Sequence, residues 1–524
     1  MEEKYSPEMA HFLAEYLKNI PQEKNLKSGN DKMMHAALLY EKFRTSIEYK
    51  EEHLVLKNAI SRILRRRCSL TLNYNPEHIF NDLMSELSWA DYINPEIISE
   101  IDNKKLKKLI STYLPFLKNA KSRVLKKYDI YKIILDWLAV DIDQVLANRQ
   151  QSDNLVDFAY SVLKNNIKKN DGSVLLKDEE ITIKLVILNL IYRPDYAYAQ
   201  RWLVKNMYQE TRQFNENEAV HLAKNFDKYY FSCENIIHHP LRKKITIYLK
   251  KSIAPFILIR NLAKYEKDLV QFESNPRKFA NSLVLVYQEL IKKMRQKVWR
   301  ATFRSLIFIF LTKLSLAFLI ELPADKYLKG GLNLLPFVIN IALPPFLMLF
   351  SGISIRMPSV KNRQAVTAAI YQLVFKGKIE SKQLILDFNE HTVLEKIFNI
   401  FYVLINIAIV MTVIYLLRSI GFSLINLILF FIFVSAVSFF SFRIRNIVLE
   451  LNMRTDRESF IFSVIDLIFM PFVQIGKVFS AVLTKSNPFI ITLDYLIEAP
   501  LKTIIHIFNS WFKYIRKKKE DIDL

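Results

Sequence analysis

The stretch FRSLIFIFLTKLSLAFLIELPADK, residues 303–326, decides how the rest of the chain is read. Its apolar part is about 20 residues long, enough for a helix to cross a hydrocarbon core of about 30 Å. One residue resists that reading. Lys313 sits near the middle of the run, where a charged side chain costs about 2.5–3.5 kcal/mol on insertion scales. With about ten residues of helix on either side, each rising about 1.5 Å, neither interface is within easy reach. Such a lysine belongs to a charge pair inside a bundle, to a polar path, or to a long side chain that snorkels. Glu321 lies eight residues on, about 80° around an ideal helix, which is a poor position for pairing. Asp466, inside another apolar run, is the better expected partner.

Three further runs share this character, at 332–354, 397–417 and 422–442. Short polar turns, PADKYLKGG and RSIG, join them in pairs, so the spacing predicts two transmembrane hairpins. Lys292, Lys293, Arg295, Lys297, Arg300 and Arg304 precede the first span with no acid among them. The 355–396 connection holds seven Lys/Arg, and Arg443, Arg445, Arg454 and Arg457 follow the fourth span. The opposite turns carry only Lys326, Lys329 and Arg418. Excess Lys/Arg in short loops marks the cytoplasmic side. Both termini and the middle loop are therefore expected inside.

The second span, LNLLPFVINIALPPFLMLFSGI, contains Pro336, Pro344 and Pro345 beside Asn340. Proline removes a backbone donor, so the segment reads either as a kinked helix or as a broken one lining a binding site. Lys313, Asn340 and Asp466 form the candidate intramembrane polar site. The six basic residues before the first span are candidate lipid-headgroup contacts, with Trp299 as an interfacial aromatic. Asn399, Asn406 and Asn426 read as groups joining helices.

Beyond the fourth span, residues 458–485 are long enough to cross but contain Asp466, Pro471, Gln474 and Lys477. In 489–512, Asp494, Glu498, Lys502 and His506 form one polar stripe at i, i+4 spacing. The preferred reading is a re-entrant or interfacial segment followed by an amphipathic helix on the membrane. A six-span arrangement stays open.

The preceding half of the chain is charged and helical in pattern. Leu38, Leu39, Phe43, Ile47, Leu54, Leu56, Ile60, Ile63 and Leu64 recur at three and four, one stripe of a 3.6-residue helix. Similar segments are read at 77–89, 95–118, 121–148, 154–169, 178–193, 195–209, 216–230 and 240–297, separated by breakers such as INPE, YRPD and HHP. The expected fold class is all-α. Its parts are a polar leader over 1–30, a helical cytosolic region over 31–300, hairpins over 301–356 and 397–445, a cytosolic loop over 357–396, and the basic C-terminal part over 446–524.

Composition excludes several function classes. The chain has eight glycines in 524 residues, and only Gly29 and Gly172 precede residue 300. No Walker A loop or Rossmann fingerprint occurs, and both need glycines at fixed offsets. Cys68 and Cys233 form no disulfide framework. His221, Cys233, His238 and His239 lack the paired spacing of a zinc site. No catalytic, cofactor-binding or metal-binding residues are assigned. The net charge is +22. The RILRRRCSLTL patch at 62–72 reads by default as a solvated helix end, with attraction to nucleic acid or acidic lipid as the alternative. For the basic cluster beside the first span, lipid is a better candidate than nucleic acid.

Three stretches, YEKFRTSIEYKEEHLVLKNAISRILRRR, TKLSLAFLIELP and LDYLIEAPLKTIIHIFNSWFKYIRKKKEDI, together resemble uncharacterised multi-pass membrane proteins of reduced-genome, candidate-phyla bacteria. The resemblance implies a bacterial cytoplasmic membrane and brings no activity, cofactor or site residue. The function expected is a non-enzymatic scaffold that organises protein partners through residues 31–297. A transporter or channel-like component is the alternative, and a membrane enzyme without a recognisable motif comes third. Homo-oligomerisation is open.

Overall fold

A computed structural model of the chain describes residues 4–16, 54–70, 75–89, 92–94, 98–147, 152–169, 175–207, 216–262, 265–266, 269–329, 334–379, 384–386, 393–453, 460–485 and 511. Residues 4–16 of the expected polar leader are described and contain a helix with Met9, Phe12 and Leu13 buried. The rest of the leader, the first half of the 38–64 stripe and the amphipathic stripe at 489–512 lie outside these residues, Trp511 excepted.

Helices dominate. In chain order they begin with α1 (Pro7–Tyr16), α2 (Val55–Leu70), α3 (Pro76–Trp89), α4 (Glu100–Asn119), α5 (Lys127–Leu146) and α6 (Ser152–Leu163). Next come α7 (Lys177–Tyr192), α8 (Tyr196–Met207), α9 (Glu216–Lys224), α10 (Phe226–Ile237), α11 (Arg242–Leu249) and α12 (Ala254–Leu262). The membrane-length part contains α13 (Pro276–Leu316), α14 (Leu322–Lys329), α15 (Leu334–Ser354), α16 (Val360–Tyr371), α17 (Val393–Ser419), α18 (Leu424–Val448) and α19 (Phe460–Lys485). Two three-residue strands, β1 (Ile167–Lys169) and β2 (Leu384–Leu386), pair in parallel with Ile167 opposite Leu384.

Local chemistry explains most boundaries. Ser99 accepts from the Asp102 amide at 3.1 Å to start α4, and Asn275 accepts from the Lys278 amide at 3.0 Å to start α13. Pro276 stands at the first position of α13, where its missing N–H is not needed. The YRPD breaker ends α7 with Arg193 in the left-handed region at φ 50°, and Asp195 then receives the Tyr198 amide at 2.9 Å. The segment read as one helix at 240–297 is three, because SIAP and ESNP interrupt it. The reading at 216–230 likewise divides into α9 and α10.

The chain forms two compact units, built from residues 1–14, 161–174 and 244–485, and from 15–160, 175–243 and 486–524. In the second, Trp137 of α5 is fully buried against Phe116 of α4 and Phe226 of α10, with ring centroids 6.0–6.3 Å apart. Ion pairs tie its helices together. Arg65 holds Asp136 at 2.5 Å, Arg201 holds Asp141 at 3.0 Å, and Lys57 holds Asp195 at 2.6 Å.

The first unit contains four helices long and apolar enough to cross a membrane: Pro276–Glu321, Leu334–Ser354, Ile397–Ser419 and Leu424–Leu451. These coincide with the runs read from sequence. α13 passes from its charged half into the apolar half without a break. It packs against α15 and α18, which also pack on each other. A Cβ on Gly352 of α15 would sit 2.2 Å from the Thr302 methyl of α13, so glycine is required for that close approach. Many large apolar side chains of these helices face outward, among them Phe308, Leu311 and Leu319, as lipid contact requires. α15 is continuous through Pro344 and Pro345, which removes the broken-helix reading of this span. Pro336 costs nothing there, because it lies in the first turn, where amides have no acceptor within the helix. Elsewhere in the unit, Gly377 has φ 62°, and a Cβ there would meet Glu8 Oε2 at 2.4 Å.

Candidate functional site

Lys313 and Glu321 are both fully buried, and they form an ion pair with each other. This overturns the expectation that Asp466 is the lysine's partner. The reason is local. Residues 317–321 form a π-helical turn in which the Leu322 amide donates to the Ala317 carbonyl, five residues back. The wider turn absorbs one residue. Eight residues then advance the helix like seven, about 700°, which is within about 20° of alignment. Pro323 was the legible hint of an irregular backbone here, since it lacks the donor that an α-helix would use.

The pair sits in an apolar setting. Lys313 Nζ lies 5.1 Å from the ring centre of Phe433 on α18, near enough for a cation–π attraction. α15, which packs along α13, carries no charged residue in its whole length. Glu321 Oε1 receives the lysine, whereas Oε2 is buried without a hydrogen-bond partner. In such surroundings neither charge is tolerable without the other.

Asn340 is also fully buried. Its Nδ2 donates to the Asn426 carbonyl at 3.5 Å, joining α15 to α18, while its Oδ1 has no hydrogen-bond partner. The Thr302 and Ser435 hydroxyls are also buried without a hydrogen-bond partner. Asp466 belongs elsewhere. Arg445 of α18 donates to both its carboxylate oxygens, at 2.8 and 2.6 Å, and both side chains are roughly two-fifths exposed. Of the three residues proposed from sequence, Lys313 and Asn340 therefore lie inside the same helix bundle, and Asp466 does not join them. Sequence reasoning missed Phe433 and dismissed Glu321.

The six basic residues before the first span are all exposed on α13. Lys293 lies 4.7 Å from the Tyr265 ring centre. Arg295, Gln296, Trp299 and Arg300 share one open face of α13. The other basic patch behaves differently. Arg65 pairs with Asp136, Arg66 with Glu86, and Arg67 with both Glu86 and Asp82. Those arginines knit helices together.

Cys68 and Cys233 are both buried and unpaired with each other. Burial pushes their thiols up to about 11 and about 12, so neither supplies thiolate near neutral pH. Tyr196 and Gln200 both donate to Glu234, and Trp137 Nε1 donates to Gln200 at 3.4 Å. Burial, and then the Glu234 carboxylate, pushes the Tyr196 phenol far above its usual value. This network joins α5, α8 and α10. Among the described residues no group of three His, Cys, Asp or Glu side chains is arranged to hold a metal ion. The chain is an all-helical, multi-pass membrane protein by its own sequence and geometry. Comparisons with protein-family models, curated proteins and solved structures give no match to it.

Proposed function

We propose that the protein is a non-enzymatic scaffold of a bacterial cytoplasmic membrane, with its charged helical half recruiting protein partners on the cytoplasmic face. The observation that carries this reading is the unit formed by residues 15–160 and 175–243. It has its own aromatic core and its own interhelical ion pairs, far more structure than anchoring requires. The exposed basic run from Lys292 to Arg304 supports the orientation, since such a cluster favours the cytoplasmic, anionic leaflet. Headgroup phosphates are its proposed ligands, with Trp299 at the interface.

A transporter or channel-like role is the second reading. It is favoured by the unpartnered buried acceptors of Glu321 and Asn340. It loses the Lys313–Asp466 contact that would have linked separate helices, because Lys313 is neutralised within its own helix.

Crosslinked affinity purification of the full chain from native membranes tests the scaffold. Defined cytosolic proteins crosslinked to residues 54–243 are expected. Recovery of none, together with solute flux in proteoliposomes that a folded Lys313→Leu variant lacks, would overturn the scaffold and favour the transporter.

A further inference from the structure

We infer that α19 is a fifth membrane crossing, so that Lys485 ends on the face of the membrane opposite Met453. Two contacts fix the direction in which α19 runs along α18, its most extensive helix partner among the described residues, and a third packs the two together. At one end, Asp466 meets Arg445. Ten residues on, a Cβ at Gly476 would lie 2.4 Å from the Ser435 carbonyl oxygen and 2.7 Å from Phe439 Cβ. Between them, the Phe472 ring stacks on Phe431 with centroids 5.7 Å apart. It also belongs to a cluster with Leu417, Phe422, Leu427, Phe430 and Val434. From Asp466 to Gly476 the numbers rise along α19 while those of their partners fall along α18, from Arg445 to Ser435 and Phe439. The two helices are antiparallel.

Length then decides the crossing. From Gly476 to Lys485 the helix continues for nine residues, about 13 Å at the usual rise. From Ser435 back to Leu424, where α18 begins, is eleven residues. The end of α19 is therefore level with the start of α18, itself a membrane-length helix. A re-entrant segment would turn back halfway, and an interfacial helix would lie across α18 instead of along it. α19 does neither: it remains one helix through Pro471.

The side chains agree with this depth. Asp466 and Arg445 stand near the end of α18 that carries Arg443, where a half-exposed ion pair meets headgroups and water. Deeper along α19, Gln474 gives its amide proton to the Tyr402 hydroxyl of α17 at 2.6 Å. Lys477, exposed and the one charge between Asp466 and Lys485, is the exception, and its long side chain has to snorkel over the eight residues to the Lys485 end. Leu467, Ile468, Met470 and Val478 are exposed apolar groups, suited to lipid.

Single cysteines at Thr455→Cys and Ser486→Cys in the full-length protein test this. The native Cys68 and Cys233 are buried, so the unsubstituted chain gives the background. A membrane-impermeant maleimide applied to sealed vesicles of both orientations is expected to label the two sites from opposite sides. Labelling of both from the same side overturns the crossing. If either variant fails to accumulate, reporter insertions after residues 453 and 487 read the same question, and matching reporter signals likewise overturn it.

Discussion

The two units hold their charges in different ways. In the unit built around α2 to α5 and α7 to α10, carboxylates and cations reach from one helix to another. Arg65 of α2 meets Asp136 of α5, and Arg201 of α8 meets Asp141 of α5. In the membrane-length helices, hydroxyl groups mostly turn back on their own helix, while Asn340, Arg445 and Gln474 reach a neighbour. Thr312 donates to Phe308, Ser315 to Leu311, Ser354 to Phe350, Thr412 to Ala408 and Ser438 to Val434. Lys313 and Glu321 extend the same habit to a full ion pair. Water solvates a charge until its partner helix arrives, so charges there are free to link helices. A bilayer offers no such reserve, and a group satisfied before helices associate is cheaper to insert.

Breaking the buried pair should give the largest effect. Lys313→Leu strands the Glu321 carboxyl in an apolar setting and should destabilise the protein by about 3–5 kcal/mol. The double variant Lys313→Leu/Glu321→Leu removes both charges and should recover most of that loss, because a buried pair is often replaceable by apolar residues. Chemical unfolding in detergent or nanodiscs measures both. A double variant as unstable as the single one would mean that the pair sets the fold by more than mutual neutralisation.

Arg201→Met makes the matching cut in the other unit. Arg201 and Asp141 are 5% and 12% exposed, and Tyr113 also donates to Asp141, at 2.5 Å. The loss should be about 3 kcal/mol, near the lower end for a buried pair because Tyr113 remains as a donor. Adding Asp141→Leu should restore less here than the double change does in the membrane, since it also removes the acceptor of the Tyr113 hydroxyl. A full recovery would break the contrast between the units.

What could be read from sequence follows the same division. The four spans were legible because about 20 apolar residues have few other uses, and the depth of Lys313 followed from counting. Its partner was not legible. Counting assumed 100° per residue throughout, and one π turn moved Glu321 onto the lysine's face. The Arg445–Asp466 pair needed the antiparallel register of two helices, which no local pattern encodes. Arg65 to Arg67 read as a solvated helix end or a patch for anions, because the acids that neutralise them lie 15 to 71 residues away. The three-way division of 240–297 was written in its prolines, but the apolar spacing ran across them.

Gly476→Leu probes how α19 meets α18. The glycine lets the backbones approach until a Cβ would be 2.4 Å from a carbonyl oxygen. Filling that space should cost about 1–3 kcal/mol by overpacking. Loosened packing should also raise the labelling of a cysteine at Phe472, which is 3% exposed in the native protein. Unchanged stability would show that α19 has room to slide, and the antiparallel register would then lose one of its two anchors.

The smallest effect should come from Asp82→Asn. Asp82 and Arg67 are 43% and 40% exposed and lie 3.2 Å apart. Arg67 keeps Glu86 at 2.7 Å when Asp82 is neutralised. Solvent screening limits such pairs to about 0–1 kcal/mol, and salt at about 1 M, with a Debye length near 3 Å, should reduce the difference further. The Lys313→Leu defect should keep its size in the same salt, because no counterion reaches a fully buried pair. The ratio of the two salt responses is therefore the sharpest reading of the difference between the units. Equal responses would mean that solvent reaches Lys313, and with it that the bundle interior is open to ions.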